Sequence, residues 1–217
     1  MDIPYAVQPL IFYAVDARDD SRLAARAIET LELVRDWYAR QLGSTFALDD
    51  CVVFRSALSE SQWRVRHRRD GKPDEQGIWI ARVHEARAAG AISSGDTRIQ
   101  YYISSSPAGA GRYGWALHRD NFGHGAYLAG PAAQTLAGDR VPRIRGHLFA
   151  AGAIAGMMAH ELAHCFAYTA GENLPNRSAL WDSNVMGAGY LRFPKCRLDR
   201  EQKMILLQSP FLTTGPE

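Results

Sequence analysis

The chain has 217 residues and a formal net charge of +2; 47% of its residues are hydrophobic and 22% are charged. These values indicate an ordinary soluble globular protein of one domain, or of two small lobes around a cleft. They exclude a membrane-spanning helix, because no stretch approaches the roughly 20 consecutive apolar residues that cross a bilayer. The three cysteines show no CxxC spacing, so neither a disulfide framework nor a cysteine zinc site is indicated.

The first predicted strand covers residues 7–15, and no basic segment precedes it, so this region does not have the pattern of a secretion signal. We therefore expect a cytoplasmic protein. After a polar cap at residues 19–21, apolar residues recur with helical spacing from Ala24 to Leu42, and Gly43 is expected to end this helix. Residues 45–54 then return as a β-rich segment.

The middle of the chain alternates polar segments with short predicted elements. Residues 59–77 indicate a helical turn and a loop, with a basic run at residues 64–69. Because acidic residues follow that run closely, we interpret it as a solvated loop and expect no nucleic-acid partner. A short helix at residues 78–89 and a strand at 97–104 are predicted next. A glycine-rich and aromatic region, 107–130, is expected to carry a loop and an exposed strand near residues 125–128.

A long helix dominates the rest of the chain. Glu161 is the only charged residue in the helical stretch 147–170, and a helix that is apolar all round is a buried one. A last helix is predicted at residues 199–207, with Asp199 as its cap and Pro210 beyond its end. This order predicts an α+β fold in a single domain, residues 1–217. The N-terminal lobe would extend to about residue 170, and a small irregular lobe, about 171–217, would end in the last helix.

The long helix contains the motif HELAH at residues 160–164. Two histidines four residues apart lie on one face of a helix, about 6 Å apart along its axis, so both can bind one Zn²⁺. Glu161 flanks that position and is suited to act as general base on a zinc-bound water molecule. The alternative is a pair of core histidines with hydrogen-bonding neighbours, but three such side chains are costly to bury without partners. We predict zinc as cofactor, His160 and His164 as its ligands and Glu161 as the catalytic base.

The segment HELAHCFAYTA, followed by residues 183–187 (SNVMG), resembles the metzincin metallopeptidases. Their pattern is HExxHxxGxxH with a methionine turn further along the chain. The resemblance implies a zincin fold: an N-terminal mixed sheet, an active-site helix and a small C-terminal lobe. It also implies a peptidase, with Met186 beneath the metal as an apolar floor. Tyr190 is a further candidate donor to an oxyanion, but it lies four residues after Met186, whereas the family forms with such a tyrosine have it two residues after the methionine.

Two alanines depart from the metzincin pattern. Ala167 stands where the family has glycine and Ala170 where it has the third histidine. Because alanine favours helix, we expect the helix to continue about one turn further, to a left-handed cap at Gly171. The third ligand therefore stays open among three possibilities. The first is Asp182, which we take as the predicted ligand, and the second is Glu172. In the third, the site has only two protein ligands and binds metal weakly or not at all, or it is completed by a distant histidine such as His124.

These features predict a zinc-dependent hydrolase, a metallopeptidase that cleaves a peptide or amide bond. A peptide substrate would pair with the exposed strand near residues 125–128. One alternative is a metal-dependent enzyme of a biosynthetic pathway, whose small-molecule substrate would occupy a pocket lined by Trp115, His118 and His124. Another is a non-catalytic binding protein on a metzincin-like scaffold. Cys165, beside His164, is interpreted as a small buried residue and not as a nucleophile.

Overall fold

A mixed six-stranded sheet with helices on both faces organises the chain. The computed structural model describes residues 5–18, 21–92, 97–104, 114–119, 123–129, 151–176 and 183–214. The strands are β1 (Ala6–Tyr13), β2 (Ser44–Thr45), β3 (Ala47–Leu48), β4 (Val52–Arg55), β5 (Arg68–Arg69), β6 (Lys72–Pro73), β7 (Arg98–Ser104), β8 (Gly114–Arg119), β9 (Gly123–Ala129) and β10 (Thr213–Thr214). The helices are α1 (Ser21–Leu42), α2 (Glu60–Arg66), α3 (Glu75–Ala88), α4 (Ala151–Thr169) and α5 (Arg200–Leu206), with a 3₁₀ helix at Ala188–Arg192.

The strand order of the main sheet is β3-β1-β7-β9-β8, and β4 also pairs with β1. All of its pairs are parallel except β8 with β9. The predicted mixed sheet is therefore confirmed. The predicted strand at residues 125–128 is confirmed as part of β9, but its predicted exposure is wrong, because β9 pairs with β7 on one side and β8 on the other. Among the strands that the structure describes, β8 forms this edge of the sheet.

Both faces of the sheet are covered by apolar side chains, and β1 shows how. Val7 and Ile11 belong to the apolar cluster shared with α1 and α4, whereas Leu10 and Phe12 belong to a second cluster shared with α2 and α3. Successive side chains of a strand point to opposite faces, so a strand buried on both sides is apolar at nearly every position. Helix α4 thus lies on one side of the sheet and the pair α2–α3 on the other.

Local sequence signals explain where most helices and strands end, but the sequence analysis missed the signal for one hairpin. Gly43 follows α1 with φ +68°, as expected. The segment predicted as a helical turn and loop contains α2 and then a hairpin of β5 and β6. Asp70 and Gly71 have φ of +52° and +75° at its turn, and an Asp-Gly pair is a strong hairpin signal. No helix in the described part of the chain is long and apolar enough to span a membrane.

Helix α4 is held in place by close contacts on two sides. The hydroxyl of Tyr38 on α1 donates to the backbone carbonyl of Ala159 at 2.7 Å. On another side the 3₁₀ helix approaches so closely that a Cβ atom at Gly156 would overlap the carbonyl oxygen of Tyr190. The small residue at this position lets the two backbones touch. These contacts fix the part of α4 that carries the HELAH motif.

Candidate metal centre

The end of α4 confirms the expectation drawn from the two alanines. The helix runs to Thr169, and Gly171 follows with φ +78°. The amide of Gly171 donates to the carbonyl of Tyr168 at 3.1 Å, and that of Glu172 to the carbonyl of Ala167 at 2.9 Å. This pair of bonds is a Schellman motif, which needs a residue free to adopt positive φ. The chain therefore leaves the helix at Gly171, about one turn beyond Ala167, where the metzincin pattern has its glycine.

The two histidines of the motif converge. Nε2 of His160 lies 3.3 Å from Nε2 of His164. Two nitrogens bound to one tetrahedral zinc at about 2.0–2.1 Å are themselves about 3.3–3.4 Å apart. Nδ1 of His160 lies 2.8 Å from the carbonyl oxygen of Val185. Because a carbonyl can only accept, that nitrogen carries the proton, and the lone pair of Nε2 faces the shared position.

Glu161 completes the group. One nitrogen or oxygen atom from each of His160, Glu161 and His164 lies within 4.8 Å of the other two. Among the His, Cys, Asp and Glu residues that the structure describes, these three form the cluster that could hold a metal ion. The carboxylate is buried, with 8% of the residue exposed. A carboxylate next to the shared position, one residue from a histidine, is suited to exchange a proton there. The three residues that the motif predicted thus do lie together.

Burial dominates the electrostatics of all three groups. It raises the pKa of Glu161 to about 8. Burial, and then the charge of His160, lower the pKa of His164 to about 4. Burial also lowers the pKa of His160, against the opposing hydrogen bonds of Val185 and Asn176. Both imidazoles are therefore neutral at pH 7, the form that binds metals. Without a cation the site also holds Glu161 protonated at pH 7, and a cation beside it would favour the ionised form.

A tight turn beneath His160 holds the Val185 carbonyl in position. The side chain of Asn184 accepts from the amide of Met186 at 2.8 Å and donates to Gln202 on α5, also at 2.8 Å. Met186 is fully buried in the apolar cluster that contains α4. The ring of Tyr190 lies edge-on to the ring of His160, with centroids 5.8 Å apart. The turn that resembles a methionine turn thus contacts the first histidine through its backbone.

His164 is enclosed by the segment that follows α4. Its Nε2 lies 3.0 Å from Oδ1 of Asn176. Its Nδ1 is buried and makes no hydrogen bond of normal geometry, although the Leu174 carbonyl is near enough to favour its protonated form. The ring also stacks on Tyr168 at 6.3 Å between centroids. Sequence reasoning missed Asn176, because an asparagine in a loop, twelve residues beyond His164, carries no metal-ligand pattern.

The remaining predicted residues have mixed outcomes. Asp182, the predicted third ligand, lies outside the described residues, and so do the side chains of Trp115, His118 and His124. Glu172 is exposed and does not belong to the cluster of HELAH ligand atoms. Cys165 is fully buried, and burial raises the pKa of its thiol well above the usual value. The interpretation of Cys165 as a small buried residue is confirmed.

Comparison with known proteins gives a likeness of fold. No family model matches the chain, and no curated protein sequence matches it either. Among solved structures, wild-type OgpA from Akkermansia muciniphila matches with a TM-score of 0.61 and 15% identity over 98% of this chain. Catalytically inactive OgpA in complex with an O-glycopeptide substrate, glycodrosocin, matches with a TM-score of 0.60 and 13% identity over 99%. In both cases this chain covers 63% of the OgpA chain.

Proposed function

We propose that the protein is a zinc-dependent hydrolase of metzincin-like type that cleaves a peptide or amide bond. The observation that carries this proposal is the 3.3 Å separation of the two Nε2 atoms, which is the separation that one tetrahedral zinc requires. Two further observations support the two histidines as ligands of zinc. Both rings are neutral at pH 7, and they lie on an apolar helix, with His164 buried and His160 partly buried.

Each residue has a distinct task in this proposal. His160 and His164 would hold the zinc, and the carbonyl of Val185 keeps the His160 lone pair directed at it. A zinc ion held there would supply the Lewis acidity that polarises the scissile carbonyl and lowers the pKa of a water molecule to near 7. Glu161 takes the proton of the attacking water on a carboxylate oxygen and passes it to the departing amine. Its buried surroundings exclude bulk water from that transfer.

The sheet supports a peptide as the substrate. Strand β8 packs against α4 and lies at the edge of the described sheet, so an extended peptide pairing with β8 would run close to the HELAH motif. OgpA, which shares this fold, binds an O-glycopeptide. We therefore favour a peptide over a small molecule and include O-glycosylated peptides among the substrates to be tested. The small-molecule alternative depends on side chains of β8 and β9 that lie outside the description.

The test is cleavage of a mixed peptide library, with and without O-glycans, followed by mass spectrometry. Zinc-loaded protein is expected to cleave, and chelator-treated protein is expected to be inactive until zinc is returned. Glu161→Gln should bind zinc and lose cleavage by at least about 10²-fold, as general bases do. The matched control is Glu172→Gln, which changes an exposed carboxylate on the same segment. Cleavage that survives in Glu161→Gln would contradict the assigned role.

A further inference from the structure

The described HELAH group has two nitrogen ligands, and a catalytic zinc ordinarily has three protein ligands and an open position. Among the described side chains, that of Asn176 lies beside both histidines. Its Oδ1 lies 3.0 Å from Nε2 of His164, which is itself 3.3 Å from Nε2 of His160. The same side chain acts on His160 as a hydrogen-bond partner. The amide of Asn176 therefore lies beside both histidines, with its oxygen within 3.0 Å of Nε2 of His164.

We propose that Asn176, through Oδ1, is the third protein ligand of the metal. This inference rests on the proposed zinc site. Oxygen and nitrogen ligands of one tetrahedral zinc are about 3.3–3.5 Å apart. The observed 3.0 Å between Asn176 and His164 needs only a small rotation of an exposed side chain to reach that value. This assignment differs from both carboxylates considered from the sequence, Asp182 and Glu172.

The backbone between the helix and Asn176 explains how so distant a residue reaches the site. The Schellman motif at Gly171 turns the chain back along α4. Leu174 is buried, with 3% of its surface exposed, and anchors the returning segment in the apolar cluster that contains α4. Pro175 restricts the backbone between that anchor and Asn176. The segment thus contacts the His164 ring through Oδ1 of Asn176, at Nε2, and through the backbone of Leu174.

A neutral amide ligand has a chemical consequence. An amide oxygen gives the metal less negative charge than a carboxylate and is a harder ligand than a third imidazole. We therefore expect zinc to bind more weakly than to a three-histidine site. The metal would keep its full double charge and act as a stronger acid towards water. Replacing the amide by a carboxylate should reverse both effects.

The experiment measures zinc affinity, not activity, by competition with a coloured chelator at pH 7.5. Wild type, Asn176→Ala, Asn176→Asp and the control Asn173→Ala are compared, since Asn173 is an exposed asparagine on the same segment. We expect Asn176→Ala to weaken zinc binding by at least about 10-fold. That is the smallest loss of metal affinity expected even for removing a residue that only hydrogen-bonds to a ligand. Asn176→Asp should bind more tightly than wild type, and Asn173→Ala should match it. Circular dichroism establishes that each variant is folded.

The outcomes separate this inference from the proposed function. Unchanged zinc affinity in both Asn176 variants, with tight binding by the wild type, would overturn the inference and leave the zinc site intact. Failure of the wild type to bind zinc would overturn the proposed function, and the ligand assignment with it. If Asn176→Ala does not fold, the absorption spectrum of the cobalt-loaded Asn176→Asp protein decides. An altered spectrum supports direct ligation, and a spectrum identical to that of the wild type refutes it.

Discussion

Replacing Glu161 by glutamine should stabilise the metal-free protein, although the same change should strongly reduce the activity of the zinc-loaded protein. Burial raises the pKa of this carboxyl from 4.5 to about 8, so the folded state keeps a proton that the unfolded chain releases. Below pH 4.5 both states are protonated and Glu161 costs nothing. Between pH 4.5 and 8 the cost grows with pH, and above pH 8 it is constant. At about 1.4 kcal/mol per pKa unit, the limit is about 5 kcal/mol.

Chelator-treated wild type and Glu161→Gln are unfolded with urea at pH 5 and at pH 8. We expect the variant to gain about 4 kcal/mol at pH 8 and about 1 kcal/mol at pH 5, with equal m-values. Adding zinc should remove most of the difference, because a cation stabilises the ionised carboxylate of the wild type. Glu172→Gln, at an exposed position, serves as the control. A stability difference that does not grow between pH 5 and pH 8 would refute the reasoning.

Three further predictions are measured as free energies of unfolding; the first two concern packing around the site and the third an ion pair on the other side of the sheet. Gly156→Ala should destabilise the protein by at least about 2 kcal/mol, because the added Cβ would overlap a backbone carbonyl that cannot move aside. Gly152→Ala should cost less, because the atom nearest to its added Cβ is 3.0 Å away. Asn184→Ala should lower the stability by about 1–3 kcal/mol and also weaken zinc binding, because it removes two hydrogen bonds from the turn that holds the Val185 carbonyl. A loss of stability with unchanged zinc affinity would mean that this turn does not orient His160. Glu60→Gln should cost about 3 kcal/mol, because it removes the charged partner of the Arg82 guanidinium, whose side chain is only 3% exposed. An unchanged stability would count against that pairing.

The sequence by itself determined the features that depend on residues close together in the chain. The spacing of His160 and His164 places both on one helical face, and the alanines with Gly171 set where that helix ends. The capping box of Asp199 likewise defines the start of α5. Each of these needs only local backbone geometry, so periodicity and cap chemistry were sufficient to predict it.

Only the tertiary structure decided which segments meet. It made β8 and not residues 125–128 the edge of the described sheet, because strand order depends on pairing between distant segments. It brought the carbonyl of Val185 to His160 and the amide of Asn176 to His164, over 25 and 12 residues respectively. A backbone carbonyl and a neutral amide leave no recognisable pattern in a sequence. Their roles come from where the folded chain holds them, and that position is set by the packing of the turn and of Leu174 against α4.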